Sequence, residues 1–334
     1  MISVSFFKRY LPWIILMIKT QNFEILEQKI TNNKYVSDYK KRSPVTPSIT
    51  HSKNRNNTSS IQLVSNSTIQ SDPNIPLFKA LKYESVFCVI PLFNVLFRLE
   101  NTFIKYIKTF KEKHNPLEDF LLDLYEKLNT KEVNQISLNY SVLLNLLEII
   151  RKNYSISRLL DHLFIFLKAF LSQMVDYSDF DQENNYFTIK INHNYKRPEN
   201  RKLQLFDVSY KKKIPLSLFN YKVLKNNLID KNYMSLDCEL DNIIINRPML
   251  MFFYWPDKQK LNEEIKRHLI LKRHSNGDIY NLKGIVYRNK ENRFNSFFIQ
   301  NNCFYDQESG SKHYITTVDI EDPNLLIYQL QESD

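Results

Sequence analysis

Residues 156–191, ISRLLDHLFIFLKAFLSQMVDYSDFDQENNYFTIKI, contain the change of pattern that decides the fold. Up to Met174, large apolar residues recur every three or four positions, the spacing of one face of an α-helix. In 186–191 apolar and polar residues alternate, the spacing of a β-strand. The sequence therefore predicts a helical half before about residue 177 and a strand-rich half after it.

Helical spacing also occurs upstream, in segments 87–110 and 141–151 and in a helix that Pro116 opens. Proline suits the first turn of a helix, and Glu118 and Asp119 complement the positive end of its dipole. A helical subdomain at 75–176 is expected.

Segments dense in β-branched and aromatic residues follow, and we expect them to form an antiparallel sheet across 177–332. They are 186–191, 203–208, 243–255, 280–287, 296–299, 314–318 and 325–330. Asn276-Gly277-Asp278 is typical of a hairpin turn. Helices followed by strands predict the α+β class.

The N-terminal residues differ from the rest of the chain. Residues 1–31 contain a short apolar run with basic neighbours, too short for a membrane span. A signal or anchor, a short amphipathic helix and a misassigned start codon remain open there. Residues 32–74 are rich in Lys, Ser, Asn and Thr, and we expect a disordered linker because little apolar surface is available for burial.

Glycine is scarce, with 3 residues in 334. Phosphate loops of the P-loop and G-x-G-x-x-G kinds need clustered glycines, so both are excluded, as is a G-x-S-x-G nucleophile elbow. We therefore expect no cofactor. Abundant Asn, Lys, Ile, Tyr and Phe, whose codons are AT-rich, indicate an AT-rich genome as the cause.

The net charge is +10, which allows a nucleic-acid partner. The candidate contacts are Tyr210-Lys211-Lys212-Lys213, Lys266-Arg267-His268 and Lys272-Arg273-His274, although such runs are more often solvated surface. The cysteines, at 88, 238 and 303, form neither a C-x-x-C pair nor an even set. We expect no metal and no disulfide, and hence a reducing compartment, the cytoplasm or the nucleus.

Several segments together resemble the ubiquitin-specific protease family in order and spacing. They are 91–99 (PLFNVLFRL), 247–255 (RPMLMFFYW), 280–287 (YNLKGIVY), 296–299 (SFFI), 303–306 (CFYD) and 324–329 (NLLIYQ). The resemblance covers roughly residues 80 to 332 and implies a papain-like fold with a cysteine, histidine and aspartate triad.

The triad itself is where this sequence departs from the family. Pro91 stands at the position of the nucleophile, Asn295 at that of the histidine (Phe294 if the alignment shifts by one), and Asp306 at that of the orienting carboxylate. Cys88, three residues before Pro91, is the one alternative nucleophile. The resemblance therefore implies an inactive enzyme with no intact catalytic site, and no oxyanion position is assigned.

A second resemblance is to the inactive ubiquitin-hydrolase-like domain of the scaffold subunit of a poly(A)-nuclease deadenylase. Phe93-Asn94 and segment 115–124 carry it. Three functions remain open: a binding or scaffold module whose protein partner is ubiquitin or a ubiquitin-like tail, an active deubiquitinase using Cys88, and a basic RNA-associated scaffold.

Limited proteolysis tests the predicted domain boundary. We expect the first cuts within 32–74, because an extended polar segment enters a protease site without unfolding, and a stable fragment that begins near residue 75. Mass spectrometry of the fragments measures this. Resistance across Ser43 to Ser71 would contradict it.

Overall fold

The computed structural model describes residues 72–80, 87–109, 116–130, 135–151, 154–156, 159, 162–175, 186–192, 206–208, 215–226, 232–255, 265–318, 320 and 322–332. Segment 1–31 and all of 32–74 except its last three residues lie outside these ranges. So do residues 203–205 of a predicted strand and the basic run 210–213.

The described residues between 75 and 176 are mainly helical, as predicted. The helices are α1 (Val89–Leu96), α2 (Lys105–Thr109), α3 (Pro116–Asn129), α4 (Tyr140–Ile150) and α5 (Leu163–Val175). A π-helical turn, Glu100–Ile104, leads into α2, so segment 87–110 is not one continuous helix. The predicted helix 156–174 is likewise interrupted, at His162. Two short strands in this half, β1 (Phe78–Ala80) and β2 (Ile136–Leu138), were not predicted, and they pair in parallel.

The C-terminal half forms one large sheet. Its strands are β3 (Phe206–Val208), β4 (Pro215–Asn220), β5 (Leu224–Asn226), β6 (Met234–Leu236), β7 (Leu250–Tyr254), β8 (Ile270–Lys272), β9 (Ile279–Arg288), β10 (Phe294–Gln300), β11 (Cys303–Asp306), β12 (Lys312–Tyr314) and β13 (Pro323–Leu330). Two short helices, α6 (Cys238–Ile243) and α7 (Ile265–His268), lie between strands. The α+β prediction is confirmed.

The sheet is mixed rather than wholly antiparallel. The main strand order is β12-β11-β10-β9-β13-β7-β4-β3, and β5, β6 and β8 branch from β9. Most pairs are antiparallel, but β4 pairs with β7, and β6 with β8, in parallel. Strand β9 joins the branches because one of its edges pairs with β13, while the other pairs with β8 and then β10.

Both faces of the sheet are buried in its centre. In β7, Leu250 and Phe252 belong to the core shared with the helices, whereas Met251 and Phe253 belong to a second core on the opposite face. A strand buried on both faces has a continuous apolar sequence, which explains why this one lacks alternation.

A buried ion pair shapes the chain between α6 and β7. The fully buried guanidinium of Arg273 donates to Asp241 Oδ1 at 2.8 Å and to the carbonyls of Ile244 and Asn246 at 2.6 and 2.7 Å. The strand predicted at 243–255 therefore begins only at Leu250, because two carbonyls of its first part point at Arg273.

Two other strand predictions are shorter in the structure. Segment 186–191 makes only isolated bridges, Thr188 to Leu216 and Ile191 to Ile244. In 314–318 only Tyr314 lies in a strand, because a turn follows in which Thr317 donates to the Tyr314 carbonyl. The predicted turn at Asn276-Gly277-Asp278 connects β8 to β9, with Gly277 at φ 76°.

Helix α1 approaches the sheet closely at a single glycine. A Cβ atom on Gly284 in β9 would overlap the Val95 side chain of α1, lying 2.8 Å from its Cγ2 and closer still to its Cγ1. Since β9 is paired along both edges, the strand cannot retreat without disturbing the sheet, and an added methyl group must displace α1 instead.

We predict that Gly284→Ala destabilises the protein by about 1–3 kcal/mol, because overpacking forces a shift of α1. Val95→Ala alone should cost on the order of 1 kcal/mol through lost packing. The double variant should be at least about 1 kcal/mol more stable than the sum of the two losses, since the smaller residue makes room for the new methyl. Urea unfolding of the four proteins measures this, and strict additivity would refute the contact.

Candidate polar site at Asn295 and Asp306

Two of the residues matched to the family triad lie in contact. Asn295 is on β10 and Asp306 ends β11, and Asn295 Nδ2 donates to Asp306 Oδ1 at 3.0 Å. The second proton of the same nitrogen goes to the hydroxyl of Tyr287 on β9, at 2.7 Å. Asn295 Oδ1 accepts from the amide of Ser296 at 2.7 Å. The amide is buried with both of its N–H groups engaged.

The carboxylate of Asp306 also shapes the turn that follows it. Its Oδ1 accepts from the amides of Glu308 at 2.8 Å and Ser309 at 3.3 Å. Three donors therefore converge on one oxygen, and the side chain is fixed by its own turn as well as by Asn295. Such a carboxylate can orient a neighbouring group, although here that group is an amide.

Tyr287 completes the cluster as a neutral phenol. Burial raises its pKa well above the usual range, and the charges of Asp306 and Glu308 raise it further, while the hydrogen bond from Asn295 opposes this. Its ring stacks on Phe297 at 5.0 Å. Within this cluster Asp306 is the one formal charge.

The register of the sheet places Asn295 and Phe294, the two residues that could match the histidine position, on opposite faces. Asn295 pairs with Tyr287, and Asp306 with Phe297, so these residues share one face. Phe294 points to the other face, where it belongs to the core that includes α1 and where the Arg288 guanidinium lies 4.4 Å from its ring centroid. Asn295 therefore contacts Asp306 but points away from α1, whereas Phe294 points toward α1 but does not contact Asp306 through the sheet face that Asp306 shares.

The positions matched to the nucleophile lie on α1 and contribute no exposed thiol. Pro91 is buried in its first turn. Cys88 is its N-cap residue, fully buried, and its Sγ contacts the Leu159 carbonyl at 3.9 Å in the helical half. Cys238 is exposed at the start of α6.

Asn94, singled out with Phe93, has a structural role that the sequence did not indicate. Its Oδ1 accepts from the Phe78 amide at 2.8 Å, and its Nδ2 donates to the Phe78 carbonyl at 2.9 Å. The side chain thus pairs with β1 as a neighbouring strand would.

The basic clusters proposed as nucleic-acid contacts are partly in the core. His268 and Arg273 are 2% and 1% exposed, so they cannot contact a polymer, and the latter holds Asp241 instead. Lys272 lies over the Tyr233 ring at 4.1 Å. In the ranges that the structure describes, no group of three or more His, Cys, Asp or Glu side chains could hold a metal ion.

Comparison with known proteins gives only distant structural similarity. No family model matches the sequence, and no curated protein matches it. A chain of the SAGA DUB module Ubp8/Sgf11/Sus1/Sgf73 bound to monoubiquitin is 12% identical with a TM-score of 0.44, and the match covers 78% of this chain and 71% of that one. The same module bound to ubiquitin aldehyde is 12% identical at a TM-score of 0.38, covering 83% and 72%. These values do not assign the chain to a family. No helix within the described ranges is long and apolar enough to cross a membrane.

The buried His268 generates a prediction about pH. Burial lowers its pKa to about 4, with a smaller contribution from the charge of Arg267, and its Nδ1 has no hydrogen-bond partner among the described residues. The unfolded chain binds a proton near the ordinary pKa of about 6.5, whereas the folded chain does not. Stability should therefore fall as pH drops from about 6.5 to about 4, by on the order of 3 kcal/mol.

The measurement is urea unfolding at several pH values. His268→Leu should remove this part of the pH dependence. His274→Gln, at an exposed histidine, is the matched control and should keep it. Equal pH profiles for wild type and His268→Leu would rule the effect out.

Proposed function

We propose that this chain is a catalytically inactive protein of the ubiquitin-specific protease fold, which acts in the ubiquitin system as a binding or scaffold module. The observation that carries the proposal is the hydrogen bond from Asn295 Nδ2 to Asp306 Oδ1. An imidazole makes this contact with its orienting carboxylate, but here an amide makes it, on the sheet face that points away from α1.

An amide cannot perform the chemistry of that position. A cysteine protease needs a base that takes the thiol proton and later gives it to the leaving amine. The nitrogen of Asn295 is not basic, and its two protons are held by Tyr287 and Asp306. General acid–base catalysis typically contributes on the order of 10² to 10⁴ in rate, and none is available from this residue.

The nucleophile is the second loss. Pro91 has no thiol, and the Cys88 thiol is enclosed in the helical half. Forming a thiolate there would place a charge on a fully buried sulfur atom, and burial away from water disfavours the charged form. The alternative of an active enzyme using Cys88 would need this part of the chain to rearrange.

A binding role survives both losses, because the contacts that hold a substrate differ from the groups that react with it. We propose a protein partner, ubiquitin or a ubiquitin-like tail. The inactive domain of the deadenylase scaffold subunit, which the sequence around Phe93-Asn94 resembles, is the proposed functional parallel.

The expected outcome is no hydrolysis of ubiquitin conjugates. Purified protein should give no turnover above buffer with a fluorogenic amide at the ubiquitin C-terminus, because neither nucleophile nor base is in place. A ubiquitin probe that traps thiols should leave Cys88 unlabelled. The exposed Cys238 controls for non-specific labelling, so the probe is also applied to Cys238→Ser.

Turnover that disappears in Cys88→Ala would overturn the proposal of inactivity. Binding is measured separately by titrating labelled ubiquitin. Saturable binding without turnover would support the module, and absence of binding would contradict ubiquitin as the partner.

A further inference from the structure

Residues 72–78 lie on the rest of the chain in the way that a peptide ligand lies on its receptor. Six of their carbonyl groups accept hydrogen bonds from donors elsewhere in the chain, the weakest being that from Arg98 to Asp72 O at 3.5 Å. The other five pairs are Gln307 Nε2 to Pro73 O (3.1 Å), Arg98 to Ile75 O, Gln135 Nε2 to Pro76 O (2.9 Å), the Ile136 amide to Leu77 O (2.8 Å) and Asn94 Nδ2 to Phe78 O (2.9 Å).

Four of these donors are side chains. Because they bind backbone carbonyl groups, they recognise an extended main chain whatever its side chains are. They come from α1 (Asn94), from the turn that follows α1 (Arg98), from the chain beside β2 (Gln135) and from the turn after Asp306 (Gln307). The turn also fits the backbone closely, because a Cβ on Gly310 would lie 2.9 Å from Asn74 O. We call the surface formed by these residues, Asn94, Arg98, Gln135, Ile136, Gln307 and Gly310, the carbonyl-reading groove.

Within residues 72–78, the groove selects for the side chain at two positions, because only Leu77 and Phe78 are buried. Leu77 and Phe78 are each 1% exposed, and the Phe78 ring lies 4.9 Å from that of Phe97 and 5.9 Å from that of Phe93. The preceding residues are exposed or partly exposed, with Ile75 at 42%. An extended segment with two adjacent large apolar side chains therefore meets the requirements of the groove.

The pairing of β1 with β2 is a main-chain contact of the kind that an extended peptide makes with a strand. Strands β1 and β2 form a separate two-stranded parallel sheet. An isolated pair of strands is marginal by itself, and adding a strand to an exposed edge is a recurring mode of peptide recognition.

The resident segment is also preorganised. Pro73 and Pro76 have no N–H and a fixed φ, so they present acceptors without leaving donors unpaired. The Asp72 carboxylate accepts from the Asn74 amide at 2.9 Å, which closes a local turn. Such restriction lowers the ordering cost of binding.

We propose that the carbonyl-reading groove is a peptide-recognition site, occupied by residues 72–78 of the same chain, and that an extended partner segment with two adjacent large apolar residues displaces them. A groove that reads carbonyls and two apolar side chains does not distinguish its own segment from another of the same pattern. Tethering gives the resident segment an effective concentration in the millimolar range, so a partner must bind tightly or act when the segment is released. This site is independent of the proposed ubiquitin function.

The test uses the full-length protein and a fluorescent peptide of the sequence of residues 72–80, DPNIPLFKA. Phe78→Ala in the protein weakens the resident segment, and this variant should bind the peptide at least tenfold more tightly than wild type by fluorescence anisotropy. The same peptide carrying Leu77→Ala and Phe78→Ala should not bind. Adding Asn94→Leu to the Phe78→Ala protein should weaken binding of the original peptide at least tenfold.

Amide hydrogen exchange of the unmodified protein gives a readout that does not depend on any variant folding. The Phe78 amide, held by Asn94, should exchange by local opening, faster than the amides of β7 in the sheet centre. Exchange of Phe78 only through global unfolding would show that the segment is part of the cooperative core. That result, or equal peptide binding by wild type and Phe78→Ala, would overturn the proposal.

Discussion

The packing of helix α1 directly on strand β9, at Val95 and Gly284, is the constraint on which the positions of the helices and of residues 72–78 depend. Val95 lies where any side chain at position 284 would have to be, so the helix and the longest strand meet without an intervening layer. One turn later Arg98 places its guanidinium 5.4 Å from the Phe298 ring centroid and donates to the Ile75 carbonyl. Asn94, next to Val95, pairs with Phe78. The positions of the resident segment and of α1 are therefore set together.

A second network fixes the opposite face of the sheet. Arg273 and Asp241 are both almost completely buried, and Asp241 Oδ2 also accepts from the amides of His274 and Ser275 at 2.7 and 2.9 Å. A buried ion pair costs several kcal/mol of desolvation per ion and is tolerated when its remaining donors and acceptors are satisfied, as they are here. The network holds the α6 turn against the β8–β9 turn, which defines where β7 can begin.

The sequence was most informative where local spacing and tertiary packing agree. Helix α3 begins at Pro116 as predicted, and the central strands 280–287 and 325–330 were placed within three residues of their observed ends. The first part of the strand expected at 243–255 is absent because the carbonyls of Ile244 and Asn246 accept from Arg273, which is 29 and 27 residues away. Strands β1 and β2 are three residues each, too short for any periodicity to show.

The candidate site could be predicted only in part, because the contacts within it depend on the register between strands, which local sequence does not reveal. Asn295 and Asp306 were named from a resemblance, and their contact depends on the β10–β11 register, which the turn at Asn301 and Asn302 sets. That Tyr287 would share the Asn295 amide could not be inferred, because it requires knowing which residue of β9 faces position 295. The six carbonyl groups of residues 72–78 that accept from donors in three separate regions of the chain have no signature in the local sequence.

The asparagines at left-handed backbone positions have a consequence for how this chain changes over evolutionary time. Asn292, Asn301 and Asn302 adopt φ values of 60°, 51° and 57°, in turns that flank β10 on both sides. Asparagine is the side chain other than glycine that tolerates this conformation best, and its codons are AT-rich where those of glycine are not. A drifting base composition can therefore exchange one for the other at such turns with little loss of stability. At Gly284 a replacement by asparagine is prevented, because any Cβ atom there would overlap the Val95 side chain. The left-handed turns of this chain accept either glycine, as at Gly277, or asparagine, whereas position 284 accepts glycine alone while Val95 stays in place.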